Sequence, residues 1–347
     1  MKPHVLVCRL DSDGDVLLSG PAVRAVRAGA RNVTLLCGPR GRAAAELLPG
    51  VDEIVEFRCP WIEPEPEPVS GDDVLALADR LRQRAFDQAI VLTSFHQSPL
   101  PTALVLRLAG IPTIAAISED YPGSLLDVRH LARDDVHEVE RSLSLVATLG
   151  YHLPPGDDGR LTVRATAPAS PVPRDHEPFV VVHPGASVPA RAWAPERNAA
   201  LVDELVAAGR RVVVTGGPEE HPLTRLVAGE PRPEVLDLGG RTDLAQLARV
   251  LTRAEVVVVG NTGPAHLAAA VGTPVVSLFA PVVPAVRWRP WGVPHVLLGD
   301  QDAPCKDSRA RVCTVPGHPC LNEIPLATVV AAVDSLASFP ALEAIEA

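Results

Sequence analysis

The sequence predicts an α/β protein made of two Rossmann-like halves, and three observations carry that prediction. Short apolar runs alternate with helix-length amphipathic segments almost from end to end, the pattern of parallel sheets covered by helices. That alternation stops once, in a proline-rich stretch of little periodicity between Leu153 and Pro178, and then restarts. The length of 347 residues suits two domains, each large enough to bury its own core. The expected organisation is a first domain over 1–152, a linker over 153–178 and a second domain over 179–347, whose last helix is free to pack back on the first. Two such halves imply a central cleft, and in open parallel sheets ligands sit beyond the carboxyl ends of the strands.

Taken in order, the first strand is 4–10, followed by a loop at 11–15 and a helix running through Arg27. Further strands are expected at 33–37, 51–57, 87–93 and 111–117, with helices near 40–48, 72–85, 99–109 and 134–149. Residues 60–69, PWIEPEPEPV, are too rich in proline and glutamate for either and read as an exposed extended loop inside the first domain. The second half gives strands at 179–183, 211–215, 234–237, 255–259 and 274–279. Helices alternate with them at 195–208, 219–228, 243–253 and 264–271.

Composition narrows the function. With 47% apolar and 21% charged residues, the chain is not a disordered one. Its net charge is −10 and it has no run of basic residues, which argues against a non-specific grip on nucleic acid. Only Lys2 and Lys306 among the 32 basic residues are lysine. The start, MKPHVLVCRLD, lacks the long apolar core of a signal peptide, so a cytoplasmic protein is expected. Residues 267–286 carry no charge, but Gly272, Pro274, Pro281 and Pro284 would break a membrane-spanning helix there.

The loops after strands hold the chemistry. Asp11, Asp13 and Asp15 follow the first strand. An EF-hand is excluded because Val16 and Ala22 stand where that loop needs Gly and Glu, and a metal-binding Asp-x-Asp is out of place so early in the chain. Asp15 reads either as a first-turn acid favoured by the helix dipole or as a carboxylate general base, with Gly14 allowing a tight turn before it. The segment HPGASVPARAWAPE offers Gly185, the Ser187 hydroxyl and the Arg191 cation, a mixture suited to a diphosphate. A glycine turn, 215–218, leads into Glu219 and Glu220, placed either to serve the helix dipole or to accept from ribose hydroxyls. Last, VVVVGNTGPAHLAAAVGTPVVSLF runs a buried strand into Gly260, Asn261, Thr262 and Gly263, and then into a helix carrying His266. Free N–H groups at such a helix start face anions. There is no Walker A motif, GxGxxG after the first strand, HExxH or paired CxxC. Cys305, Cys313, His318 and Cys320 supply enough ligands for zinc without its usual spacing, leaving metal, disulfide or free thiols open.

Together these segments resemble glycosyltransferase family 9, the heptosyltransferases, over most of the chain. The resemblance rests on RLDSDGDVLLSGPAVRAVR, HPGASVPARAWAPE, TGGPEE and GNTGPAHLAAAVGTPVVSLF, in the family's order. It implies a GT-B architecture, with an N-terminal acceptor domain and a C-terminal nucleotide-sugar domain. It also implies inverting transfer with neither metal nor other cofactor. Asp15 matches the family's general base, while Ser187, Arg191, Thr262, Gly263 and His266 match donor-binding positions; Glu219, Glu220 and Asn261 join the donor set. Asn261 replaces the family's usual aspartate, which leaves the phosphate chemistry intact and bears on the identity of the sugar. The expected function is transfer of a sugar, heptose from ADP-heptose first, to a hydroxyl of a glycan or small-molecule acceptor. Neither nucleic acid nor a transmembrane segment is expected to be involved, with peripheral membrane contact left open. The alternatives are a nucleotide-sugar epimerase of the same architecture and a nucleotide-sugar binding protein without activity.

Overall fold

The computed structural model describes residues 1–165 and 170–338, and the chain divides into two compact units, Met1–Arg164 and Ala165–Ala347. The first unit holds β1 (His4–Arg9), β2 (Asn32–Cys37), β3 (Glu53–Glu56), β4 (Gln88–Val91), β5 (Thr113–Ile117) and β6 (Val128–His130), in the order β3-β2-β1-β4-β5-β6. The second holds β7 (Phe179–His183), β8 (Arg211–Val214), β9 (Val235–Asp237), β10 (Val256–Gly260), β11 (Val275–Leu278) and β12 (His295–Leu298), in the order β12-β11-β10-β7-β8-β9. Every neighbouring pair is parallel. Counted from its own first strand, each sheet has the same doubly wound order. The direction of winding reverses between β1 and β4 in one and between β7 and β10 in the other, and the loops leaving those strands flank the crevice where such sheets bind ligands.

Helices on both faces bury these strands, which is why their sequences are continuous apolar runs. Val5 to Cys8, Val180 to Val182 and Val212 to Val214 are fully buried. Two strands were not foreseen, β6 and β12. Both are short edge strands; β6 (VRH) carries no apolar run, and β12 (HVLL) carries only three apolar residues and is half-buried along its length. The helix expected through Arg27 is two helices, Asp13–Leu18 and Gly20–Gly29. They part at Ser19, whose hydroxyl donates to the Val16 carbonyl at 2.6 Å, with Pro21 just beyond. Residues 60–69 form neither helix nor strand.

The proline-rich stretch is divided between the units. Asp157 takes two hydrogen bonds from the Arg24 guanidinium (2.6 and 2.8 Å), and the Arg164 N–H donates to the Leu47 carbonyl at 2.8 Å, so the chain up to there is tied to the first unit. Val172 is buried in the second, and its carbonyl accepts from Arg253 at 2.6 Å. The helix Leu326–Ala337 buries Val329, Ala332, Val333 and Leu336 in the core of its own unit. The end of the expected second domain, 339–347, lies outside the described residues. The uncharged run 267–286 is a helix end, a turn and β11, and no described helix is long and apolar enough to cross a membrane.

Candidate active site

In the first unit the polar residues gather at the reversal of the sheet. β1 ends on Arg9, which is almost completely buried (2% exposed). Its Nη2 donates to Asp15 Oδ1 and to Ser94 Oγ, each at 2.9 Å, and its Nε lies 3.0 Å from Asp11 Oδ2, at ion-pair distance but not aligned as a hydrogen bond. Burial works against the charge of Arg9, but Asp11, Asp15 and Glu138 outweigh it and hold the guanidinium above its ordinary pKa. Asp15 occupies the third position of helix Asp13–Leu18, and its second oxygen accepts from the Ser12 hydroxyl at 2.8 Å. Asp11 also accepts from the side-chain amide of Gln97, in the turn after β4. Burial pushes the Asp11 carboxyl up, opposed by Arg9 and reinforced by the charge of Asp15.

Asp13 points elsewhere. Its Oδ1 accepts from the Ala44 N–H at 2.9 Å, and burial raises its pKa to about 6 against the pull of that bond and of Arg40. With Asp11 held by Arg9 and Asp13 by a backbone amide, the Asp-x-Asp triplet serves the fold. Beyond β3, the Pro/Glu loop and helix Gly71–Arg82 enclose a cavity of about 320 Å³, with Glu63 held 3.3 Å from Arg40.

In the second unit two loops meet at the corresponding reversal. After β7, the chain turns through Gly185 and forms a short 3-10 turn, Pro189–Arg191. After β10, Gly260 packs so closely on this turn that a Cβ there would lie 2.9 Å from the Arg191 carbonyl oxygen. The Asn261 Oδ1 accepts from the Ala280 N–H at 3.4 Å, while its Nδ2 is buried without a partner. The Thr262 Oγ1 is likewise buried and unpartnered: Thr262 is the N-cap of helix Gly263–Ala270, yet its hydroxyl makes no cap bond. His266 is buried one turn into that helix. Two buried polar atoms without partners beside the start of a helix make this the candidate site in the second unit for an anion or a hydroxyl-rich ligand.

The remaining residues divide. Glu220 joins the first of these loops: its carboxylate accepts from the Gly217 N–H at 2.8 Å and occupies the space over Gly185, where a Cβ would collide with it. His183, at the end of β7, pairs through Nδ1 with the Thr215 hydroxyl at 3.0 Å, and burial lowers its pKa against the influence of Glu220. Ser187 is exposed in the loop between Gly185 and Arg191, and Glu219 is exposed on the next, with nothing in this arrangement bringing Glu219 to the others. All six cysteines are free thiols. Cys305 and Cys320 are buried in the second unit's core and Cys313 is partly exposed, with its thiol 3.4 Å from the Val315 carbonyl. Among the described residues no group of three or more His, Cys, Asp or Glu is arranged to hold a metal ion.

Sequence reasoning missed Arg9, Ser94, Gln97 and Glu138. For Arg9 a signal existed, a charged residue closing the otherwise apolar strand HVLVCR. For the others the partner lies 85 or more positions away or on a distant helix, and spacing along the chain carries no trace of it.

The family model for glycosyltransferase family 9 (heptosyltransferase) matches residues 74–318. The chain belongs to glycosyltransferase family 9. Within the family, it is 34% identical to lipopolysaccharide heptosyltransferase 3 of Escherichia coli, over 46% of this chain and 46% of that protein, so the match spans about half of that relative's length. A longer match, 31% identical over 82% of this chain and 89% of the other, is with lipopolysaccharide heptosyltransferase 1 of Escherichia coli K12. The fold is that of the Escherichia coli heptosyltransferase WaaC solved with ADP-2-deoxy-2-fluoro heptose. The TM-score is 0.73 at 20% identity, with 96% of this chain and 99% of that one covered. The matched region includes the loops of the second unit and Ser94 and Gln97, whereas Arg9, Asp11 and Asp15 precede residue 74.

Proposed function

We propose that this chain is an inverting, metal-independent glycosyltransferase that moves a sugar from a nucleotide-sugar donor to a hydroxyl of a glycan or small-molecule acceptor. ADP-heptose is the first donor to test, because family 9 is the heptosyltransferase family and a WaaC structure holds an ADP-heptose analogue. One observation carries the reading above the rest: the buried, unpartnered Asn261 Nδ2 and Thr262 Oγ1 at the start of a helix, packed against the Arg191 turn. In this proposal Asp15 takes the proton of the acceptor hydroxyl as that oxygen attacks the anomeric carbon. The bond from that carbon to the diphosphate breaks, with inversion. Arg191, Ser187 and the first-turn N–H groups of helix Gly263–Ala270 receive the negative charge of the leaving nucleoside diphosphate. Gly263 admits the diphosphate to the backbone, and Asn261, Glu220 and His266 complete the donor site; Glu219 is the least supported member.

A thermal-shift titration with ADP, UDP, GDP and dTDP, each with and without EDTA, tests the donor assignment, since a ligand of the folded state stabilises it by mass action. Stabilisation by ADP that EDTA leaves unchanged is expected. Preference for another base reassigns the donor, and strict metal dependence overturns the metal-free mechanism. Transfer from ADP-heptose should then fall by about 100-fold or more in Asp15→Asn, with ADP stabilisation retained. Near-normal turnover in that variant removes Asp15 as the base.

A further inference from the structure

We propose that Arg9 is the positioning residue of the first unit's site, holding the Asp15 carboxylate in one orientation; this rests on the reading of Asp15 as the base. The geometry is specific. One Nη2 serves both Asp15 and Ser94, each at 2.9 Å, so it is aimed between the end of β1 and the turn after β4. On its other side Nε faces Asp11 at 3.0 Å, and Asp11 is held in turn by Gln97 from that same turn. The guanidinium is thus fixed from both strands that flank the reversal of the sheet, and Asp15 inherits that fixity. A buried cation is an expensive way to fill the end of a strand, where an apolar side chain would pack at less cost. What the guanidinium supplies and an apolar residue does not is a planar donor fork with a permanent charge.

Lysine keeps the charge but not the fork, and cannot span Asp11, Asp15 and Ser94 together. The Ser12 hydroxyl holds the other Asp15 oxygen at 2.8 Å from the N-cap of the same helix, so it moves with Asp15 and cannot replace an anchor on the strand.

The test is a double-mutant cycle on the full chain, with transfer from ADP-heptose as readout. Arg9→Gln is expected to lower kcat by about 100-fold, the scale of a misplaced catalytic group, with the donor KM within about twofold of the parent. In the Asp15→Asn background the same substitution should cost nothing further, because Arg9 acts through Asp15. Millimolar guanidinium should restore at least part of the lost kcat in Arg9→Gln and none in Asp15→Asn, a rescue that a merely structural role would not show. Should Arg9→Gln fail to fold, Arg9→Lys serves instead, with an expected loss of about tenfold. Equal losses with and without Asp15, or parental kcat in Arg9→Lys, overturn the proposal. Near-parental turnover in Asp15→Asn alone marks failure of the base assignment instead, and ADP stabilisation reports separately on the donor reading.

Discussion

The two sheets share one strand order, yet the polar groups at their reversals are in opposite conditions. At the end of β1 the charges satisfy one another: Arg9 is shared among Asp11, Asp15 and Ser94, and Gln97 locks Asp11. At the end of β10 they do not, for Asn261 Nδ2 and Thr262 Oγ1 are buried with nothing to bond. A network in which charge faces charge presents a preset charge to whatever arrives, even where, as between Arg9 Nε and Asp11 Oδ2, the pair is not aligned as a hydrogen bond. Buried polar atoms without partners instead carry a desolvation cost that a hydrogen-bonding group from outside would relieve.

That contrast can be broken by stability measurements. Arg9→Met should lower the free energy of unfolding by about 3 kcal/mol, because it strands the buried Asp11 and its neighbours without their cation. Denaturant unfolding followed by circular dichroism measures this, and an unchanged midpoint would mean that the first network carries no such weight. Thr262→Val should do the reverse. It removes an orphaned hydroxyl at constant shape, so the ligand-free protein is expected to be as stable as the parent or more so, while ADP affinity falls by about tenfold. Calorimetric titration reads the second quantity, and parental ADP affinity would count against Thr262 as a donor contact.

A smaller effect sharpens the picture around Asp13, whose pKa burial raises to about 6. Unfolded, it titrates near its ordinary value of about 3.9. Between those values the folded state binds the extra proton, so this residue's contribution to stability declines as pH rises from about 4 to 6 and is a net cost above. Asp13→Asn keeps an acceptor for the Ala44 N–H and should gain about 1 kcal/mol at pH 8 and nothing at pH 4. Unfolding at the two pH values checks it, and an equal change at both would show that the gain is not electrostatic.

The central strands were legible because parallel strands buried on both faces must be apolar throughout, as Val180 to Val182 are. The edge strands β6 and β12 were not, since half-buried segments of three or four residues have no distinctive pattern. The loops after β7 and β10 could be read because glycine and a helix start are local signals. Arg9 as partner to Asp15 could not, because burial of a charge depends on Ser94 and Gln97, which only the fold brings near. The proline-rich stretch could be read as irregular backbone, but which unit each part of it holds to, as Arg24 holds Asp157 to the first, depends on contacts that only the fold brings together.

The Glu220 carboxylate fills the space above Gly185, where any side chain would collide with it. A side chain at 185 therefore requires the flexible Glu220 carboxylate to swing aside or to be shortened. Among descendants of this sequence a larger residue at 185 should be found more often where 220 has become shorter, so that two loops separated by a whole helix and strand would tend to change together.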